Sequence, residues 1–123
     1  MAKAVGIGGV FFKSPDPAKL SAWYEQWLGV PFRGESSAIF DPREMPSKAF
    51  TVWAAFDQST DYFAPSSQPF MFNIVVDDLE GALQQVAAGG AVRVGGIKEF
   101  DYGSFGWFMD PDGNKVELWQ PPS

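Results

Sequence analysis

The feature that most constrains the fold is an apolar helical stripe that occurs twice in the chain. Apolar residues recur at offsets 0, 3, 4, 7 and 8 from Leu20 and again from Leu79, which is the spacing of one buried helix face. Asp16 precedes the first stripe as a candidate N-cap, Gly29 follows it as a stop, and Asp78 precedes the second. Two amphipathic helices are therefore predicted, and their stripes start 59 residues apart, close to half of the 123-residue chain.

Segments typical of β-strands surround each helix. In the first half they are Val5–Lys13, Ser37–Phe40 and Ala49–Phe56, with one more short strand expected near Val30–Arg33. In the second half they are Phe70–Asp77, Val92–Phe100, Phe105–Met109 and Lys115–Gln120. This order predicts a single α+β domain over 1–123, with a βαβββ module at 1–58, a Ser- and Pro-rich linker at 59–69 and a second βαβββ module at 70–123.

The composition excludes several kinds of chemistry. The chain has no cysteine and no histidine, so it lacks thiolate nucleophiles, histidine general bases and imidazole or thiolate metal ligands. Its net charge of −6 argues against binding to nucleic acid, which needs a basic surface. No segment is long and apolar enough for a signal peptide or a membrane span, so we expect a cytoplasmic protein without membrane contact.

Three motifs together resemble one known family. The segment Gly103–Trp119 contains a Asp-Pro-Asp-Gly-Asn turn followed by Lys-Val-Glu-Leu-Trp, Asp16–Gly29 ends in Leu-Gly, and Val76–Leu79 reads Val-Asp-Asp-Leu. These motifs are similar to those of the vicinal oxygen chelate superfamily, which includes glyoxalase, bleomycin-resistance proteins and extradiol dioxygenases. The resemblance implies a glyoxalase-like fold, in which two βαβββ modules form a curled mixed sheet around a cleft, and it implies a homodimer.

The same resemblance bears on metal binding. In metal-using members four cleft residues hold the ion, and the one in the last strand corresponds to Glu117. The other three positions would fall at Gly9, near Trp53 or Ala54, and near Met71 or Phe72, where no side chain can coordinate a cation. A protein without metal or other cofactor is therefore expected.

Strand alternation selects the candidate site residues. Val116 and Leu118 share one face of the last strand and are expected under a helix, which leaves Glu117 facing the cleft. Glu117 is the candidate catalytic or ligand-anchoring carboxylate, and Tyr102 could supply a hydroxyl group. The alternative for Glu117 is a structural ion pair with a lysine or arginine. Five aromatic residues are candidates for ligand binding, although core or interface packing is the alternative for each: Phe11, Trp53, Phe72, Trp107 and Trp119.

Two functions are compatible with these residues. The first is a bleomycin-resistance-like protein that binds a small organic molecule in an aromatic, acidic cleft. The second is a lyase or isomerase that uses Glu117 as a base, with Tyr102 or Lys13 as the acid, or that holds a metal at a relocated site formed by Glu117 with Asp101 or Glu99.

Overall fold

The computed structural model describes residues 1–123 and contains two α-helices and one five-stranded sheet. The elements in chain order are α1 (Pro17–Leu28), β1 (Phe72–Val75), α2 (Leu79–Ala88), β2 (Val92–Arg93), β3 (Lys98–Phe100), β4 (Gly103–Met109) and β5 (Lys115–Gln120). A single 3-10 turn spans Pro42–Glu44. The α+β class and the mixed, curled sheet predicted from the sequence are confirmed.

The sheet is centred on strands β4 and β5. β5 pairs with β1 in parallel and with β4 in antiparallel orientation, and β4 also pairs with β2 and β3. Residue 117 of β5 therefore has Asn73 of β1 on one side and Trp107 of β4 on the other. Because side chains on directly paired residues lie on the same face of a sheet, this register brings Asn73, Trp107 and Glu117 together.

Both predicted helices form, with the predicted aspartate caps. The Asp16 carboxylate accepts a hydrogen bond from the backbone N–H of Lys19 at 3.1 Å, and Gly29 ends α1 in the left-handed conformation with φ of 62°. In α2 the Asp78 carboxylate accepts from the backbone N–H of Gly81 at 3.1 Å. The local chemistry of the caps therefore accounts for where both helices start.

The core lies between the helices and one face of the sheet. Phe108, Val116 and Leu118 are completely buried there, together with Leu83 and Val86 of α2. The prediction that Val116 and Leu118 pack under a helix is confirmed. The opposite face carries Trp107, Glu117 and Trp119. We call it the loop-covered face because Phe50 packs on Trp119 and Tyr62 packs on Trp107.

The turn between β4 and β5 is fixed by the buried carboxylate of Asp110. Its Oδ1 accepts from the backbone N–H groups of Asp112 (3.0 Å) and Asn114 (2.9 Å). Its Oδ2 accepts from the hydroxyl of Tyr24 (2.8 Å) and from the side-chain amide of Asn114 (3.0 Å). The turn predicted at residues 110–114 is thus tied to helix α1 through Tyr24.

Tyr24 should make the folded state sensitive to alkaline pH. Burial, followed by the negative charge of Asp110, raises the pKa of Tyr24 well above its ordinary value of about 10. The folded state therefore keeps this phenol protonated, whereas the unfolded state releases the proton above about pH 10. The contribution of Tyr24 to stability is complete below pH 10 and falls by about 1.4 kcal/mol per unit above it. Urea unfolding from pH 8 to 11 should be less pH-dependent in Tyr24→Phe, and an unchanged slope would contradict this.

The first half of the chain differs from its prediction. No strand forms in the segments Val5–Lys13, Ser37–Phe40 and Ala49–Phe56. A single antiparallel β-bridge joins Phe32 and Ala38. In the second half, Val92–Phe100 is divided into β2 and β3, and Phe70–Asp77 forms pairs at Phe72–Val75 only. A strand needs a partner for its backbone groups, and the first-half segments meet none within this chain.

Neither helix has the length and apolar character needed to cross a bilayer.

Candidate functional site

Glu117 is the centre of a hydrogen-bond network on the loop-covered face. Its Oε1 accepts from the side-chain amide of Asn73 at 2.7 Å. Its Oε2 accepts from the hydroxyl of Tyr62 at 2.6 Å and from the indole N–H of Trp107 at 2.9 Å. All three donors are neutral, and no lysine or arginine forms an ion pair with this carboxylate. The alternative interpretation of Glu117, an ion pair with Lys115, Lys13 or Arg93, is therefore not found.

The network leaves Glu117 with unused acceptor capacity. An ionised carboxylate offers about four acceptor positions, two on each oxygen. Two donors engage Oε2 and one engages Oε1. One position on Oε1 can therefore accept a further hydrogen bond, and Glu117 as a residue is only partly buried.

Lys115 lies beside Glu117 but is held by a different group. Its ammonium group donates to the backbone carbonyl of Tyr62 at 2.6 Å, and the residue is 7% exposed. Burial lowers the pKa of Lys115, and the charge of Glu117 opposes that shift. The ammonium groups of Lys98 and Lys115 lie 5.8 and 5.9 Å from the ring centre of Trp107. The site thus combines one carboxylate with two cations, so it is less acidic than the net charge of the chain suggests.

Tyr62 comes from the predicted linker and was not expected at the site. Besides its bond to Glu117, its ring stacks on Phe56 with centres 5.6 Å apart and meets Trp107 edge-on at 6.5 Å. Burial, and then the hydrogen bond to Glu117, raise the pKa of Tyr62. The available signal was an aromatic pair, Tyr62 and Phe63, in an otherwise polar and proline-rich stretch.

Asn73 was also missed by the sequence analysis. It lies between Phe72 and Ile74 in a strand that is otherwise apolar, and only its alignment with Glu117 explains it. Asn73 is exposed, and a single polar residue between two partly buried apolar residues is the alternation of a strand with one face turned away from the core. That pattern is the signal that could have identified Asn73.

Trp119 and Tyr102 lie next to this network without joining it. Trp119 is 4% exposed, its indole N–H donates to the backbone carbonyl of Tyr102 at 2.9 Å, and its ring stacks with Phe105. The Tyr102 ring stacks on Phe100 with centres 5.1 Å apart, and its hydroxyl makes no hydrogen bond to Glu117. The indole of Trp119 is therefore held by its hydrogen bond and its ring contact. Tyr102 is not positioned as a proton donor to Glu117.

Gly103 is the residue that allows Trp119 to pack this closely. Its φ is 125°, and a Cβ placed there would overlap the Trp119 indole and lie 2.5 Å from the backbone oxygen of Gln120. Gly103→Ala should lower the free energy of unfolding by about 2–4 kcal/mol, since it adds backbone strain to a clash with β5. Thermal and urea unfolding would measure this. Gly113 also has a left-handed backbone conformation, but it has open space around it, so Gly113→Ala should cost less stability. An equal loss of unfolding free energy in the two variants would contradict the clash at Gly103.

Three predicted ligand-binding residues lie apart from Glu117. Phe11 and Trp53 are 96% and 76% exposed, and Phe72 points to the helix side of the sheet, in register with Val116. Phe11 and Phe72 instead line a separate cavity of about 400 Å³. The remaining lining residues of that cavity are Val10, Phe12, Lys13, Gln68, Pro69 and Phe70. Of the five predicted aromatic residues, only Trp107 contacts the Glu117 carboxylate.

Comparison with known families agrees with this fold. A family model described as a glyoxalase-like domain matches residues 9–119. The chain belongs to the glyoxalase-like domain family. No curated protein sequence matches it.

Among solved structures, one that covers nearly the whole chain supports the same fold for this glyoxalase-like protein. A glyoxylase/bleomycin resistance protein/dioxygenase domain from Frankia sp. EAN1pec is 14% identical, with 98% of this chain and 100% of that chain covered and a TM-score of 0.58. TnmS3, an antibiotic binding protein from Streptomyces sp. CB03234, is 27% identical, with 44% and 45% covered and a TM-score of 0.39. A superfamily member from Sphaerobacter thermophilus DSM 20745 is 22% identical, with 40% of each chain covered and a TM-score of 0.36. This chain therefore covers less than half of the length of TnmS3 and of the Sphaerobacter protein.

The residues of this glyoxalase-like protein do not fit a metal centre. No three Asp or Glu side chains lie close enough together to hold an ion. Asn73, Tyr62 and Trp107 contact Glu117 through N–H and O–H hydrogens. In this arrangement they point hydrogens, and not lone pairs, at the place a cation bound to Glu117 would occupy. The relocated site with Glu99 is also unsupported, because Glu99 pairs with Ser104 and thus lies on the helix side of the sheet.

Proposed function

We propose that this glyoxalase-like protein binds a small organic molecule on the loop-covered face, with Glu117 as its hydrogen-bond acceptor. The observation that carries the proposal is the carboxylate itself, which is held by three neutral donors and keeps one acceptor position free. A preorganised acceptor costs less to use, because its orientation is already fixed by the fold. A ligand that donates a hydrogen bond would use that position.

Aromatic side chains supply the apolar part of the proposed site. Phe56, Tyr62 and Trp107 are in ring contact beside Glu117, and Phe50 packs on Trp119 at 4.9 Å. Rings of this kind favour flat, unsaturated ligands, which bury apolar area against them. The predicted binding roles of Trp107 and Trp119 are retained in this proposal, whereas Phe11, Trp53 and Phe72 would need a different site.

Tryptophan emission tests the proposal directly. Titration with a panel of small aromatic compounds should quench part of the emission of the wild-type protein, because Trp107 lies against the proposed ligand. Trp107→Phe keeps an aromatic ring but should lose most of the ligand-dependent quenching, and Trp53→Phe should retain it. A panel in which no compound changes the emission would overturn the proposal, and loss of quenching in Trp53→Phe alone would place the ligand elsewhere.

A lyase or isomerase activity is the second candidate. It is favoured by the 2.6 Å hydrogen bond between the Tyr62 hydroxyl and Glu117, because this bond places a carboxylate and a hydroxyl side by side, as an acid–base pair requires. In this candidate Glu117 is the base, and Tyr62 replaces Tyr102 as the acid. Glu117→Gln would then abolish turnover while ligand affinity is largely retained.

We also propose that the protein forms a homodimer in the cytoplasm. Large apolar side chains of the first half are exposed, including Val10, Phe11, Val52 and Trp53 at 62–96%. Exposed apolar surface of this extent is typical of protein–protein contacts, and the unpaired first-half segments could pair with a second copy. Analytical ultracentrifugation should give twice the chain mass of 13.5 kDa, and a monomer at micromolar concentration would overturn this part.

A further inference from the structure

Residues 57–69 form hydrogen bonds to the sheet through Tyr62 only. Residues 57–69 contain no helix or strand. Hydrogen bonds within this segment form local turns, for example from the backbone N–H of Ala64 to the carbonyl of Asp61 at 3.0 Å. Two hydrogen bonds join the segment to the sheet, and both involve Tyr62: its hydroxyl to Glu117 and the Lys115 ammonium to its carbonyl. Substitution of the Tyr62 side chain would therefore remove the bond to Glu117 and its ring contacts without breaking any strand pairing, while the bond from Lys115 to the backbone carbonyl is kept.

The phenol of Tyr62 is surrounded as a bound ligand would be. Its hydroxyl donates to Glu117, one face of its ring stacks on Phe56, and Trp107 meets it edge-on. The ammonium group of Lys115 lies 5.1 Å from the ring centre. Tyr62, a residue that is 39% exposed, thus makes one charge-assisted hydrogen bond, three aromatic contacts (with Phe56, Phe63 and Trp107) and one cation–π contact.

We propose that Tyr62 occupies the ligand position and that the ligand is a hydroxyarene, a phenol that displaces it. This inference rests on the proposed function in taking Glu117 as the acceptor, but it assigns the ligand hydroxyl to the position on Oε2 that Tyr62 fills instead of the free position on Oε1. It adds the chemical class of the ligand and a competitor within the chain. A phenol reproduces each contact of Tyr62: a hydroxyl for Glu117, a flat ring for Phe56 and Trp107, and a π face for Lys115. A cationic ligand is disfavoured, because Lys98 and Lys115 both lie within 6 Å of the aromatic rings.

Competition by Tyr62 has a quantitative consequence. When a protein's own side chain fills the site, the apparent affinity for a ligand falls by the fraction of molecules in which the site is open. A hydrogen bond to a charged acceptor, supported by ring contacts, shifts such an equilibrium by about tenfold or more. Removal of Tyr62 should therefore strengthen phenol binding, whereas removal of an ordinary contact residue weakens binding.

Calorimetric titration with two matched probes tests this inference. The probes are 2-naphthol and 2-methoxynaphthalene, which share a ring system but differ in the hydroxyl donor. Tyr62→Ala should bind 2-naphthol at least about tenfold more tightly than the wild type, and the methyl ether should gain much less. Tyr62→Phe keeps the ring and loses the bond to Glu117, so its gain should be intermediate. Phe40→Ala removes another exposed ring, which has no aromatic partner, and should leave both affinities unchanged.

The outcomes separate this inference from the proposed function. If 2-naphthol binds the wild type but binds Tyr62→Ala equally or more weakly, Tyr62 is a contact residue and the competitor model is wrong, while ligand binding stands. If the methyl ether gains as much as the naphthol, the hydroxyl is not recognised and the phenol class is wrong. If neither probe binds any variant, including Tyr62→Phe, which retains the ring, this inference is wrong. The quenching panel then decides the proposed function separately.

Discussion

Glu117→Gln is expected to weaken binding of a hydrogen-bond-donating aromatic ligand by about 10–100-fold, because it removes the charge that makes this acceptor strong. The glutamine side chain has a single acceptor oxygen. If that oxygen serves Tyr62 and Trp107, the amide nitrogen replaces Oε1, where the ligand would donate. If the amide is reversed, its N–H groups face two donors. In either orientation the free acceptor position is lost.

The matched control is Glu25→Gln, which makes the same chemical change on the exposed side of α1. Its affinity for the ligand should equal that of the wild type in calorimetric titration. Equal affinities in both variants would show that Glu117 is not the anchor. Retained affinity with lost turnover in Glu117→Gln would instead favour the lyase or isomerase.

Asp110→Ala is expected to lower the free energy of unfolding by about 3–5 kcal/mol, the largest stability effect expected for a polar residue in this chain. The carboxylate is 5% exposed and accepts four hydrogen bonds. Its removal leaves the Tyr24 hydroxyl and the Asn114 amide without their acceptor, in a place where water has little access. It also releases the turn that sets the register of β4 against β5.

The neighbouring carboxylate provides the control for that experiment. Asp112 accepts one hydrogen bond, from the Ser14 hydroxyl at 2.6 Å, and it is only partly buried. Asp112→Ala should therefore cost about 1 kcal/mol or less in urea unfolding. Similar losses for the two variants would mean that the four-bond network is not the cause. An Asp110→Ala protein that unfolds like the wild type would contradict the role given to this carboxylate.

The parts of the fold that depend on local chemistry were predictable from the sequence. Both helices begin at an aspartate cap and end at glycine, and strand β5 alternates between buried aliphatic residues and Glu117. Each of these features is decided within a few residues along the chain. The same alternation predicted the face of Glu117, but it left open which face of β4 carries Trp107, and the pairing of β4 with β5 decides that.

The parts that depend on distant partners were not predictable in this way. Val5–Lys13 and Ala49–Phe56 have strand-like sequences, but a strand forms only where another strand can pair with it. The position of Phe72 depended on the register between β1 and β5, since a shift of one residue exchanges the two faces. Tyr62 reaches Glu117 across 55 residues of sequence, and no local pattern encodes that contact.

The central claim is that the Glu117 carboxylate accepts a hydrogen bond from a small aromatic ligand on the loop-covered face. A crystal structure of the protein with bound 2-naphthol would test this claim most directly. We predict the naphthol oxygen within hydrogen-bond distance of a Glu117 carboxylate oxygen, its ring beside Trp107 and the Tyr62 hydroxyl displaced. A naphthol bound in the cavity lined by Phe12, Phe70 and Phe72, with the bond between Tyr62 and Glu117 intact, would contradict it.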